Sequence, residues 1–154
     1  MSRPSLPPMR PDHVLCPLIA SNAQEAIHIL MDGMRGNAAI TKPDDLMNEI
    51  ILRERESSTH IGHGVAIPHA RSRNVSGMVL AAGRLDHEIL WDSSGKPVRL
   101  VLLMGIPPQC IETYLGVMKA FAHGFRKQHL ASRLLEAANP EAFSQILTSV
   151  LSGI

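Results

Sequence analysis

The sequence predicts an α/β fold in which a sheet is covered by helices on its faces, and three observations carry that prediction. Apolar residues recur at helical spacing from Ala26 to Ile51; short apolar runs framed by Gly and Pro follow between Val65 and Met104; helical spacing returns from Ile111 onward. No internal repeat or low-complexity tract breaks this order.

Residues Met1 to Pro11 contain Pro4, Pro7, Pro8 and Pro11 and no apolar signal-peptide core, so 1–11 reads as a flexible lead-in to one domain over 12–154. A short apolar segment, Val14 to Ile19, ends at Ser21-Asn22, where a helix is expected to start. Ser21 with Gln24 forms a capping-box pattern, and Gly33 and Gly36 mark the exit. A second helix is expected from Thr41, with Pro43 and Asp44-Asp45 in its first turn, a stripe of Leu46, Met47, Ile50 and Ile51, and the charged run Arg53 to Glu56 after it. Val65–Ile67, Met78–Ala82 and Ile89–Trp91 read as three short strands, the last followed by turn chemistry at Asp92–Gly95. Val98–Met104 is the strongest strand, apolar enough to be buried on both faces, and Pro107-Pro108 ends it. Leu115, Met118, Ala122 and Phe125 then line one helix, Leu130, Leu134 and Leu135 a shorter one. Asn139-Pro140-Glu141 caps a last helix carrying Phe143, Ile146, Leu147 and Val150.

A length of 154 residues suits one domain with its own core. Aromatic residues make up only 3%, so the core has to come from aliphatic side chains and the eight Met, and a base-stacking surface is disfavoured. The net charge of +1 gives no global field for nucleic acid or anionic lipid, and no apolar run reaches the length of a membrane span. Cys16 and Cys110 lie far apart and form no metal or redox motif, so both read as small buried hydrophobes. A chain without a cysteine framework suits a reducing, cytoplasmic setting.

Chemistry concentrates in Arg53 to Arg71. Gly62 and Gly64 let backbone approach a ligand and free main-chain N–H groups for an anion, while Pro68 restricts the residue before it and aims His69. A neutral imidazole is a competent nucleophile near pH 7, and phosphoryl transfer then needs alignment and positive charge, which an arginine fork supplies.

The elements Arg53-Glu54, Ser58-Thr59, Gly62-His63-Gly64, Val65-Ala66-Ile67 and Pro68-His69 resemble the signature of the type-2 enzyme IIA family of the phosphoenolpyruvate:sugar phosphotransferase system, with its fructose, mannitol and nitrogen-regulatory branches. Trp91-Asp92 and Gly95-Lys96-Pro97-Val98 form a second matching stretch, and the resemblance runs from about Asp12 to the C-terminus. It implies a single-domain mixed sheet of about five strands with helices on both faces. It also implies a phosphohistidine carrier that takes a phosphoryl group on His69 from the phosphocarrier protein HPr or its paralogue. The group would pass to a IIB domain or act as a regulatory signal, with no cofactor, no metal and no ATP. By family analogy a stand-alone IIA is more often nitrogen-regulatory. Arg53 is implied to steady the phosphoryl group, with Thr59 and the amides at Gly62 and Gly64 as further anion contacts.

The family places a second histidine at the start of the helix after the strong strand, where this chain has Tyr114, a hydrogen-bond donor that carries no positive charge. His123, over two turns further on, ranks below it as a helper. His60 and His63 read as structural or solvated, since their spacing with His69 fits no zinc motif. Arg55 and Glu56 read as a solvated helix face, and Arg71 and Arg73 as a docking rim or solubilising charges. Two alternatives stand beside the carrier: a non-transferring module that docks on a regulated kinase or transporter, and a metal-dependent hydrolase built on the histidines.

Overall fold

The computed structural model describes residues 9–152. One turn of 3-10 helix, Pro11–His13, leads into strand β1 (Val14–Leu18), followed by helices α1 (Ala23–Asp32) and α2 (Pro43–Glu56). Strands β2 (His60–Gly62), β3 (Val65–Ala66), β4 (His69–Arg71), β5 (Val79–Leu90) and β6 (Pro97–Ile106) come next. After a turn at Pro108–Cys110 the chain closes with α3 (Ile111–Lys127), α4 (Leu130–Glu136) and α5 (Pro140–Leu151). The expected α/β architecture is present, with a six-stranded sheet.

Local chemistry moves several expected boundaries. Asn22 caps α1 in place of Ser21, because its extended backbone lets Oδ1 accept from the Glu25 N–H at 2.8 Å. Helix α2 starts at Pro43, two residues after Thr41, and carries Arg53 to Glu56 within it, since Arg and Glu are good helix formers. Asn139 caps α5, with Oδ1 accepting from the Ala142 N–H at 2.8 Å. The two strands expected at Met78–Ala82 and Ile89–Trp91 are one strand, β5, with a register irregularity between Arg84 and Ile89. Within it Gly83 admits the neighbouring strand: a Cβ there would lie 2.5 Å from Cδ2 of Leu18. The packed domain also begins before residue 12. Met9 is buried against α5 and its N–H donates to the Thr148 hydroxyl at 3.1 Å, while residues 1–8 of the expected lead-in lie outside the described residues.

The sheet order is β1-β5-β6-β3-β2, with β4 also paired to β6. The β5–β6 pair is antiparallel, and β3 and β4 both run parallel to β6. They share one register: Val65 faces Leu100 and, four residues on in each strand, His69 faces Met104. The line breaks at Ile67-Pro68, where proline has no N–H for the ladder, although the Pro68 carbonyl still accepts from Met104 at 3.0 Å. Strand β6 explains its own apolar run. Val101 and Leu103 pack with α1 and α2 around Leu30, Leu46 and Ile50; Leu100, Leu102 and Met104 pack with α3–α5 around Phe121 and Phe143. Among the described residues no helix is long and apolar enough to cross a membrane.

Candidate functional site

His69 opens β4, directly after the break at Pro68, and is 9% exposed. Its Nδ1 lies 2.8 Å from the Ile67 carbonyl oxygen, which can only accept, so Nδ1 carries the ring proton and Nε2 of the neutral ring keeps a lone pair. Nε2 lies 3.2 Å from the Tyr114 hydroxyl, and the two rings are 5.3 Å apart at 39°. Burial pushes the His69 pKa below the ordinary histidine value; the Ile67 carbonyl opposes this and the nearby Arg53 charge adds to it. The side chain is therefore a neutral imidazole of one tautomer at pH 7. It stands in a groove of about 530 Å³ between α2, β4 and the start of α3, lined also by Glu49, Leu52, Arg53, Glu56, Arg71, Ile111 and Tyr114.

Helix α2 serves the site on two faces, because successive helical residues point about 100° apart. Arg53 turns into the groove, and its guanidinium also donates to the Ser57 carbonyl at 2.9 Å, closing the end of the helix. Glu54 turns away and becomes an anchor. Oε1 accepts from the Trp91 indole N–H at 2.6 Å and from the Thr59 N–H at 2.8 Å, and Oε2 accepts from the Thr59 hydroxyl at 2.8 Å. Beside it the Ser58 hydroxyl donates to Asp92 at 2.5 Å, and this bond, with those from Ser94, holds the Asp92 carboxyl at about 2. The two matching stretches of sequence, far apart along the chain, thus meet through Glu54–Trp91 and Ser58–Asp92. One turn earlier on α2, Glu49 Oε1 accepts from the Ser72 hydroxyl at 2.7 Å and from Asn74 Nδ2 at 2.5 Å, tying the exit of β4 to the helix. Sequence reasoning passed over Glu49 and Glu54 as anchors. Their spacing around Arg53 on one helix was the available signal.

The structure brings His69, Arg53 and Tyr114 together, and it places the other predicted residues elsewhere. Thr59 is 7% exposed and spends its hydroxyl on Glu54. Gly62 and Gly64, at φ +88° and +72°, make the β2–β3 turn, and the Gly64 carbonyl accepts from Arg99 and Leu100. That end of β6 is four residues, about 13 Å, from the Met104 that pairs with His69. Thr59, Gly62 and Gly64 line no part of the groove; the three residues shape the loop that leads to it. His60 lies 3.7 Å from Asp92, His63 stacks on Phe125 at 6.4 Å, and His123 is exposed on α3, so these histidines occupy separate surroundings. Arg71 lines the groove, whereas Arg73 is exposed beyond it. Cys16 and Cys110 are half-buried, not fully buried as expected, because each sits at the margin of the α3–α5 core.

A mixed sheet between two helical layers, with one neutral histidine in an arginine-lined groove, defines an enzyme IIA type of protein. Residues 8–150 match the family described as phosphoenolpyruvate-dependent sugar phosphotransferase system, EIIA 2, and the chain belongs to that family, whose members act as phosphotransfer components. The PTS system fructose-specific EIIA component of Haloferax volcanii is 27% identical over 127 residues, which are 82% of this chain and 82% of that protein. The nitrogen regulatory protein of Pseudomonas aeruginosa is 29% identical over 109 residues, 70% of this chain and 71% of the relative. Among solved structures, nitrogen regulatory protein IIA-Ntr from Neisseria meningitidis superposes with a TM-score of 0.82 at 23% identity, covering 91% of this chain and 96% of that one. The complex of enzyme IIA-mannitol and phosphorylated enzyme IIB-mannitol from Escherichia coli matches with a TM-score of 0.72 at 14% identity, covering 90% and 95%. These likenesses show a shared fold.

Proposed function

We propose that the chain is a cytoplasmic phosphohistidine carrier, of nitrogen-regulatory kind, that accepts a phosphoryl group on Nε2 of His69 from an HPr-like phosphocarrier protein. The group then passes to a IIB domain or persists as a signal read by a regulated kinase or transporter. The observation that carries this reading is the single tautomer of a neutral, buried His69, whose unprotonated Nε2 belongs to a groove also lined by Arg53 and Arg71. In the transfer, the Nε2 lone pair attacks phosphorus, the donor's phosphorus–nitrogen bond breaks, and its electron pair returns to the donor imidazole. His69 then bears phosphorus on Nε2 and a proton on Nδ1. The ring becomes positively charged, which strengthens the bond from Nδ1–H to the Ile67 carbonyl. Arg53 and Arg71 supply positive charge for the phosphoryl oxygens, and the phosphocarrier protein is the donor in place of ATP or a metal-bound phosphate. Thr59, Gly62 and Gly64 support the site by shaping the loop that leads to β4. Leu52, which lines the groove, and Leu115, next to Tyr114 on α3, are 57% and 59% exposed and offer apolar contact to a docking carrier.

One observation favours the alternative of a non-transferring docking module: the Tyr114 hydroxyl already occupies Nε2. Incubation with phosphoenolpyruvate, enzyme I and a matched HPr separates the two. The carrier gains one acid-labile phosphoryl group that His69→Ala lacks. A wild-type protein left unmodified by its matched carrier defeats the transfer reading, and partner capture that persists in His69→Ala then supports docking.

A further inference from the structure

Tyr114 stands where its hydroxyl meets the one atom the proposed carrier has to free. Nδ1–H of His69 donates its hydrogen bond to the Ile67 carbonyl, so Nε2 carries no proton, and at 3.2 Å the phenol must be the donor. This is the only hydrogen bond of the Tyr114 hydroxyl among the described residues. The ring itself is half-buried at the margin of the α3–α5 core and lies 5.3 Å from the imidazole, centre to centre. Phosphorus bonded to Nε2 would occupy the direction of the same lone pair. The hydroxyl and an incoming phosphoryl group therefore compete for one place, and the groove of about 530 Å³ in front of them gives the phenol room to swing out.

We propose that Tyr114 is a movable cap on His69: its hydroxyl masks Nε2 in the resting protein and has to be displaced before the phosphoryl group can be taken up. The charged groups lining the groove, Glu49, Arg53 and Glu56 from α2 and Arg71 from β4, make no hydrogen bond to Nε2 among the described residues, so the mask belongs to Tyr114. This inference rests on the carrier reading for its consequence, although the cap can be observed without any transfer. Its strength is that of one neutral hydrogen bond, so removing it should speed acceptance by about 2- to 10-fold. A partner that engages the phenol as it docks would open the site as part of binding, which links acceptance to correct docking.

The test is Tyr114→Phe, which keeps the ring and its packing and removes only the hydroxyl. Nitrogen-15 spectra of the His69 imidazole are recorded on unphosphorylated protein, and phosphoryl uptake is timed with phosphorylated HPr. In the variant the Nε2 resonance moves toward that of a free imidazole nitrogen, and uptake becomes about 2- to 10-fold faster. A wild-type Nε2 resonance already at the free position overturns the cap, as does an unmoved resonance in the variant. Uptake that is unchanged or slower in the variant overturns the masking role. If neither protein accepts a phosphoryl group, the carrier reading fails, while the nitrogen resonance still decides whether the cap exists.

Discussion

Replacing Glu54 with alanine would strip the acceptor from three donors at once: the Trp91 indole N–H, the Thr59 N–H and the Thr59 hydroxyl. Trp91 and Thr59 are 6% and 7% exposed, so these donors cannot simply turn to solvent. Each buried donor left unpaired costs about 1–3 kcal/mol. A groove of about 880 Å³ borders Glu54 on the side away from His69, and water entering from it would re-pair part of the set. The expected loss for Glu54→Ala is therefore about 3–4 kcal/mol, or a fall in Tm of roughly 10 °C for a chain of this size. Glu54→Gln keeps an oxygen for the two N–H donors, and the Thr59 hydroxyl can rotate to accept from the new amide. Its cost should be about 1 kcal/mol. Urea unfolding followed by the fluorescence of Trp91, the one tryptophan in the chain, measures both variants and also reports wetting of the indole as a red shift. A cost below about 1 kcal/mol for the alanine variant would refute the anchoring argument. Equal costs for the two variants would refute it as well, since the lost charge alone would then account for the effect.

Arg53→Gln should slow phosphoryl uptake by about 100-fold, the usual cost of losing one electrostatic stabiliser, while unfolding changes little; stopped transfer from phosphorylated HPr measures the first and urea titration the second. Uptake should stay level as pH falls from about 8 to about 6.5 and decline only below that, because burial keeps His69 neutral past the ordinary histidine range. A decline centred above about pH 7 would contradict the assigned burial effect. Stability should follow the same sign. His13 is buried with its pKa lowered, and Nε2 lies 3.1 Å from Asn37 Nδ2 while Asn37 Oδ1 accepts from Ala39 N–H, so folding favours the neutral ring. The unfolded chain then binds protons more readily than the folded one. The stabilisation from His13 and His69 is complete above about pH 6.5 and is lost as pH falls through their lowered folded values. Equal urea midpoints at about pH 7.5 and pH 5.5 would count against it.

Local periodicity and punctuation determined most of the elements from sequence alone. The apolar run Val98–Met104 marked the central strand, and the Asn139-Pro140 signature placed the last helix correctly. The division of β5 into two strands failed because a long strand with a register irregularity looks, residue by residue, like two short ones. Strand β4 went unread because three residues, one of them the histidine, carry no period. Family pattern and chemistry singled out His69, Arg53 and Tyr114, whereas only tertiary placement separated them from Thr59, whose hydroxyl is taken by Glu54, and from Gly62 and Gly64. Those three are close to His69 along the chain, yet parallel pairing of β3 and β4 with β6 carries the glycine turn about 13 Å from it. Which face of α2 a side chain takes also depended on packing: Arg53 and Glu54 are neighbours in sequence, and helix phase sends one to the groove and the other to Trp91. The sequence by itself determined which residues bear chemistry, because that is a property of residue type and local spacing. Only the tertiary structure decided which of them meet, because strand register and helix phase set distances that no short window of sequence contains.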